Sequence, residues 1–282
     1  MAIRVALLGP GRMGQVVARS LLANPLVRLV AVFTRPGSDK AGRDLGEVLG
    51  LPATGISIQS SEILPEAMHM LRPEMVIDFS TPEAAMRNLK IAAKHGAHLI
   101  VGTTGFTRLQ LDALRSLAEM YRVSLVLAPN LSIGINVLMH AAMKMAEILS
   151  GFDVEIVEEH HRYKKDAPSG TAIRLAQAVA GVLGLNGEKG LVFGRHGNRK
   201  REAGEIAIHA IRGGGTVGVH KIIFVSDNER LELVHQSLNR NAFTDCLERI
   251  ILYVHRHPPG VYTVEQILGL ERPEEAVEEE VS

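Results

Sequence analysis

The chain has 282 residues, 46% of them hydrophobic, with 31 basic and 31 acidic side chains. That length and apolar content suffice for one large domain or two modest ones, each with its own core, and exclude general disorder. The charge balance excludes a global attraction to nucleic acid or an anionic membrane, so electrostatic recognition has to be local.

The N-terminus, MAIRVALLGPG, enters a short apolar run with no basic leader and no small-residue cleavage site. No stretch approaches the roughly 20 apolar residues that span a bilayer. The single cysteine, Cys246, lies among apolar residues at helical spacing and has no partner for an internal disulfide. It reads as a buried, inert thiol, and the reducing cytoplasm is the expected compartment.

Short β-branched runs alternate with helix-like segments through the first 130 residues: Ile3 to Leu8, Leu29 to Phe33, Met75 to Phe79, His98 to Val101 and Val123 to Leu127. This alternation predicts parallel βαβ units with right-handed crossovers. Between the first two runs, GRMGQVVARSLLANP spaces Val16, Val17, Leu21 and Leu22 for one helical face, and Pro25 closes it. Directly after the first strand stand Gly9, Pro10, Gly11, Arg12, Met13 and Gly14, a G-x-G-x-x-G. Glycines there permit a tight turn and close approach of a pyrophosphate, while the helix N-terminus presents N–H groups to the anion. The plainer alternative is a glycine turn without a ligand.

A dinucleotide fold that prefers NAD places an acidic residue at the end of the second strand for the ribose hydroxyls. This chain reads AVFTRPGSDK, with Thr34 and Arg35 there. Arg35, helped by Ser38 and Lys40, suits a 2′-phosphate, which predicts NADPH over NADH; the alternative is that Arg35 is a solvated turn residue. In VIDFSTPEA, Ser80 or Thr81 is placed to cap the next helix. In LIVGTTGF, Gly102, Thr103 and Thr104 follow the fourth run at a strand end, where ligands of open parallel sheets collect.

The second half changes character. LAPNLSIGINVLMHAAMKMAEIL is a loop followed by a helix from about Asn136 to Leu149, with Met139 and Met143 as core filler. FDVEIVEEHH, GEIAIHAIRGG, VGVHKIIFVSD and ERLELVHQSL are β-rich runs that predict a mostly antiparallel sheet with helices on one face. RNAFTDCLERIILYVHRH reads as a helix, GVYTVEQILGL as a short helical turn region, and the acidic EEAVEEEVS as a fraying tail.

The densest chemistry is EEHHRYKKDAPSGTA, residues 158–172. His160 and His161 end a strand and point in opposite directions. Ile173, Ala176, Val179, Ala180 and Leu183 then form a helical stripe, with Ser169 or Thr171 as its cap. Imidazoles, ammonium groups and a helix N-terminus together suit a small dianion and supply a proton to it. A solvated loop is the bland alternative. A metal site fits less well, because the imidazoles lack carboxylate or thiolate partners in the sequence nearby.

From GRMG through DFSTPE, VGTTGF, APNLSIGINVL, EEHHRYKKDAPSGTA, EIAIHAIRGGGTVGVH and RLELVHQSLNRNAF to GVYTVEQIL, the chain resembles the 4-hydroxy-tetrahydrodipicolinate (dihydrodipicolinate) reductase family. The resemblance implies an α/β fold, a Rossmann-like parallel sheet followed by an α+β substrate and oligomerisation domain. Residues 1–130 would bind the dinucleotide, completed by about 240–282, and 131–240 would form the second domain. It implies NAD(P)H-dependent reduction of the dehydrated form of 4-hydroxy-tetrahydrodipicolinate in lysine and diaminopimelate biosynthesis, a small dicarboxylate substrate and a homotetramer. By the same resemblance His160 matches the proton donor and Lys164 the second proton-delivering residue, while His161, Ser169, Gly170 and Thr171 match the carboxylate binders. Gly9 to Gly14, Gly102 to Thr104 and the loop Ala128, Pro129, Asn130 and Leu131 match coenzyme contacts, and Arg35 the residue that meets the adenosine phosphate. The family's glycine loop is commonly one residue longer, and many members carry an acidic residue where Thr34 stands, which again favours NADPH, with NADH possible.

Two other readings compete: a related NADP-dependent reductase of another small carboxylic acid, and a non-catalytic NADPH sensor, which would have no need of His160 and Lys164. A nucleic-acid patch at RHGNRKR lacks interleaved aromatics and is disfavoured.

Overall fold

In the computed structural model, which describes residues 2–185 and 190–270, β1 (Ile3–Leu8) runs through the glycine loop into α1 (Arg12–Ala23). There follow β2 (Val27–Thr34), α2 (Leu45–Leu49), β3 (Ile58–Ser60), α3 (Leu64–Leu71), β4 (Met75–Asp78), α4 (Pro82–Lys94), β5 (His98–Val101), α5 (Arg108–Tyr121) and β6 (Leu125–Leu127). Next come α6 (Ile133–Ile148), β7 (Asp153–His160), α7 (Gly170–Val182), β8 (Leu191–Phe193), β9 (Ile206–Arg212), β10 (Gly218–Val225) and β11 (Arg230–Ser237). The described chain finishes with α8 (Leu247–Arg256), β12 (Val261–Thr263) and α9 (Val264–Leu268). The acidic tail at 274–282 lies outside the described residues.

Two compact units result: one takes the chain up to Leu131 and again from Phe243, the other is Ser132–Ala242. The first holds a seven-stranded sheet in the order β12-β6-β5-β4-β1-β2-β3, with every pairing parallel. Its interior includes Leu8, Phe33, Val76, Leu89, Leu99 and Leu114, all essentially inaccessible. GVYTVEQILGL is therefore not purely helical, since Val261–Thr263 forms the edge strand beside β6. Thr263 then caps α9 in a reciprocal pair with Gln266.

The order of strands reverses between β1 and β4, which places a crevice at their carboxyl ends. Gly9 is at φ +82°, and a Cβ there would stand 2.5 Å from the Phe79 carbonyl oxygen. A Cβ on Gly14 would stand 2.1 Å from the Gly9 carbonyl oxygen, so the first turn of α1 can pack on the loop only without one. The buried face of α1 is Gly14, Val17, Ala18 and Leu21. Leu22, expected on that face, is instead exposed, because 100° per residue carries it past the stripe's edge.

The second unit holds a five-stranded sheet in the order β11-β10-β7-β9-β8. Here the expectation of a mostly antiparallel sheet is corrected. β10 pairs antiparallel with β11 and β7, but β7–β9 and β9–β8 are parallel. The long return from β7 through α7 lets β9 run alongside in the same direction, as a crossover does and a hairpin cannot. α6 and α7 cover one face, burying Ala142, Leu175 and Val179 against Ile156, Ile208, Ile222 and Phe224. Ser132 and Ser169 cap the two helices, accepting from the backbone N–H of Ile135 and Ala172.

The glycine loop yields a paired prediction. Gly14→Ala should lose about 1–3 kcal/mol through overpacking against backbone. Gly11→Ala, with φ −76° and nothing within 4 Å of a new Cβ, should stay within about 1 kcal/mol of the parent. Urea unfolding of the two variants measures the difference.

Candidate active site

In the first unit, the residues singled out in the sequence fall on loops at the carboxyl ends of the parallel strands. Gly9 follows β1, its N–H donating to the Phe33 carbonyl at 2.9 Å. Gly11 is the N-cap of α1 and has no side chain to occupy the first-turn N–H groups. Pro10 is buried, Met13 half-buried and Arg12 exposed. Arg35 follows β2 and is exposed, Thr34 before it is buried, and Lys40 Nζ donates to the Pro10 carbonyl at 2.8 Å. That last bond ties the loop after β2 to the glycine loop.

Gly102, Thr103 and Thr104 follow β5, anchored by a residue that sequence reasoning passed over, Asp78 at the end of β4. Its carboxylate accepts from the Thr103 hydroxyl and from Ser80 Oγ at 2.8 Å, and its backbone carbonyl from Gly102 N–H at 2.9 Å and Thr103 N–H at 3.2 Å. Burial pushes its pKa up, against the lowering effect of the Thr103 and Ser80 hydrogen bonds. Ser80 is thus engaged with Asp78, and Thr81 is the cap of α4. The fourth loop runs Ala128, Pro129, Asn130, Leu131. Ala128 N–H donates to the Val101 carbonyl at 2.8 Å, and the Leu131 carbonyl accepts both the N–H and the thiol of Cys246, at 3.2 and 2.9 Å. Burial pushes that thiol up to about 12, so Cys246 is an anchor and not a nucleophile.

This geometry fits a dinucleotide. The glycine cradle has backbone where side chains would intrude, the uncapped start of α1 faces outward, and a basic residue follows β2 where no carboxylate stands.

In the second unit, β7 alternates, with Val154, Ile156, Glu158 and His160 turned to the helix-covered face and Glu155, Val157 and Glu159 only half-buried. His160 is the last residue of the strand and is buried. Its Nδ1 lies 2.5 Å from Glu158 Oε2. His161 follows, half-buried, and its Nδ1 is inaccessible with no hydrogen-bond partner among the described residues. Lys164 Nζ donates to both oxygens of Asp166, at 2.8 and 2.7 Å. Ser169 is buried, its Oγ 3.2 Å from His220 Nε2, and Gly170 and Thr171 open α7. Arg212 donates to both Glu158 oxygens and to the Asp166 carbonyl, and the Ser169 N–H donates to Glu158, so His160, Lys164, Ser169 and the start of α7 are linked within one unit through Glu158, Arg212 and Asp166.

Three residues of this cluster went unnoticed in the sequence. Glu158 stands two residues before His160, the strand spacing that puts both on one face, and this was the available signal. It gives His160 the carboxylate partner that the sequence reading had denied it. Arg212 lies opposite His160 in the parallel β7–β9 register, and His220 opposite Glu158 in the antiparallel β7–β10 register. Only the pairing reveals those two. Among the described residues, no three His, Cys, Asp or Glu side chains are grouped to hold a metal ion.

Two family models cover nearly the whole chain: the N-terminus of dihydrodipicolinate reductase over residues 3–131 and its C-terminus over 134–268. The chain belongs to the dihydrodipicolinate reductase family. A 4-hydroxy-tetrahydrodipicolinate reductase of Methanocaldococcus jannaschii is 38% identical over 272 residues, covering 95% of this chain and 98% of that one. One from Methanothermobacter thermautotrophicus is 38% identical over 271 residues, covering 95% and 99%. The dipicolinate-bound dihydrodipicolinate reductase of a Paenisporosarcina species superposes with a TM-score of 0.74 at 30% identity, over 94% of this chain and 99% of that one. This reductase family uses NAD(P)H, and the chain is an oxidoreductase on a small molecule. Among the described residues no helix is long and apolar enough to cross a membrane.

The electrostatics of the cluster predict acid sensitivity of this family member. Burial, followed by the charge of His160, drives the His220 pKa down to about 3, so His220 is neutral in the fold. The unfolded chain therefore binds a proton that the folded one refuses below about pH 6.5, and stability falls as pH drops from there toward 3. Glu158 behaves differently: burial raises its pKa, but hydrogen bonds from His160, Arg212 and Ser169 outweigh that and hold it at about 2. Its contribution is intact above the ordinary carboxylate value and is lost as pH falls from about 4.5 toward 2. Urea midpoints should decline below pH 6.5 and more steeply below 4.5, each group adding a slope on the order of 1 kcal/mol per pH unit. His220→Gln should remove the first phase.

Proposed function

We propose that this chain reduces the dehydrated form of 4-hydroxy-tetrahydrodipicolinate to tetrahydrodipicolinate, in lysine and diaminopimelate biosynthesis, with NADPH preferred and NADH accepted. The observation that carries the reading is the linkage of His160, Lys164 and the capped start of α7 through Glu158, Arg212 and Asp166 in the second unit, with His161 next in the chain. A dicarboxylate needs two anion-binding elements and a proton donor, and that cluster offers them.

The coenzyme supplies the hydride when bound, and this chain's own side chains supply the proton. His160, whose Nδ1 is engaged by Glu158, delivers it from Nε2. Lys164 is the second donor and steadies the negative charge of the substrate, while His161, the Ser169–Gly170–Thr171 turn and the N-terminus of α7 receive its carboxylates. Gly9 to Gly14 would hold the pyrophosphate, Gly102 to Thr104 and Ala128 to Leu131 the nicotinamide half. Arg35 supports the NADPH preference, because a guanidinium follows β2 where an acidic residue would reject a 2′-phosphate.

We also propose a homotetramer in the cytoplasm. The face of the second sheet opposite α6 and α7 leaves Ile211 and Val234 half exposed, a surface suited to association. The one cysteine, buried and free, accords with a reducing compartment.

Coupling a dihydrodipicolinate synthase reaction to the protein and following NADPH absorbance tests the activity. Wild type should oxidise NADPH, and His160→Ala and Lys164→Ala should each lose about 100 to 10,000-fold in kcat. No oxidation rejects the assignment, and full activity in both variants rejects the roles. Arg35→Ala should raise KM for NADPH roughly tenfold and leave KM for NADH unchanged; a wild-type KM for NADH equal to or below that for NADPH removes the preference. Light scattering at four times the chain mass is expected, and a monomer sinks the tetramer.

A further inference from the structure

Glu158 is completely buried and its two oxygens receive four hydrogen bonds. His160 Nδ1 and Arg212 Nη1 meet Oε2 at 2.5 and 2.8 Å, while Arg212 Nη2 and the Ser169 N–H meet Oε1 at 2.6 and 2.9 Å. The guanidinium is thus bidentate, the geometry in which an arginine fixes a carboxylate rather than merely neutralising it. Three donors besides the imidazole, two from Arg212 and one from Ser169, stop the carboxylate from rotating, so the imidazole bonded to it is fixed as well. The same Arg212 Nη2 also donates to the Asp166 carbonyl at 2.6 Å, and the Asp166 side chain grips Lys164 Nζ.

Gly218 completes the arrangement. A Cβ there would sit 3.1 Å from His160 Nε2, so the missing side chain leaves space beside the nitrogen that Glu158 does not use.

Building on the reading of His160 as proton donor, we infer that Glu158 and Arg212 are positioning residues. Glu158 keeps a proton on His160 Nδ1 and leaves Nε2 to face the substrate, and Arg212 orients Glu158 and, through Asp166, Lys164. The groups that face His160 are Glu158 on its own strand, Arg212 on β9 and His220 on β10 with its ring edge-on at 5.3 Å, while Ser169 at the start of α7 meets Glu158 and His220. Glu158 stays ionised throughout the working pH range, which suits a partner that must support an imidazolium. The logic is that of other carboxylate–histidine pairs, in which the acid sets tautomer and orientation and does not itself take the proton.

The test uses the full-length protein in two arms. In the first, without coenzyme or substrate, nitrogen-15 NMR of histidine-labelled protein reads the His160 ring, assigned by the signal lost in His160→Ala. The Nδ1-protonated form is expected above the point where the ring becomes neutral; a neutral ring protonated on Nε2 overturns the proposal. In the second arm, Glu158→Gln keeps an acceptor for Nδ1 and removes the charge. Removing a negative partner disfavours the imidazolium, so the alkaline limb of kcat/KM should move to lower pH by about one unit, with kcat down roughly tenfold and coenzyme KM unchanged. An unmoved limb with parental kcat overturns the proposal.

If Glu158→Gln does not fold, Arg212→Lys keeps the charge and loses the fork. It should lower kcat severalfold and broaden the His160 Nδ1 signal; parental behaviour in both readouts counts against the pair. An inactive wild type with the Nδ1-protonated ring would refute the reductase reading and leave the positioning pair supported.

Discussion

The polar cluster of the second unit is organised around one buried ion pair, Glu158 with Arg212. Removing two charges from water is costly, and a buried pair of this kind adds little net stability over well-packed apolar residues. What it adds is geometry. Strand β7 carries Glu158 and His160 on one face, β9 brings Arg212 opposite His160, and the first N–H of the α7 turn closes on the same carboxylate. Remove the carboxylate, and a guanidinium, an imidazole and a helix start lose their common reference point while a cation is left without its partner. The arrangement therefore has to be explained by function, since an apolar core at the same place would hold the sheet and helices together at least as well.

How much of this was legible in the sequence follows from the range over which each signal acts. The central strands of the first unit show because buried parallel strands are short continuous apolar runs, and the His98 to Val101 run matches β5. β3 and β12 escaped because three residues are too few to display any period. The helix caps at Thr81 and Ser169 were legible for the opposite reason, since a cap is a local bond between a side chain and the N–H three residues on. The second sheet's direction was not, because parallel and antiparallel edges are chosen by crossovers that the pattern of one strand does not encode.

The site divides in the same way. His160, Lys164 and Ser169 stand out through residue type and crowding along the chain. Arg212 and His220 lie 52 and 60 residues beyond His160 in sequence and become its neighbours only through the registers of β9 and β10. Glu158 was within reach of the alternation rule, since of the acids in that stretch, Glu158, Glu159 and Asp166, it alone shares a strand face with His160.

Both units place a buried carboxyl group on the strand that feeds the functional loops, and their opposite electrostatics follow from who the donors are. Asp78 receives hydroxyl and amide hydrogens and no cation, so burial dominates and its pKa rises. Glu158 receives an imidazole and a guanidinium as well as an amide, and those bonds overcome the same burial and pull it down to about 2. Hydroxyl and amide donors suffice where a loop has only to be held in shape, as with Thr103 and Ser80. Cationic and imidazole donors favour a permanent charge, as Arg212 and His160 do at Glu158. The difference between the two acids thus follows their neighbours: Asp78 holds the backbone and hydroxyls of the loop after β5, and Glu158 holds an imidazole and a guanidinium.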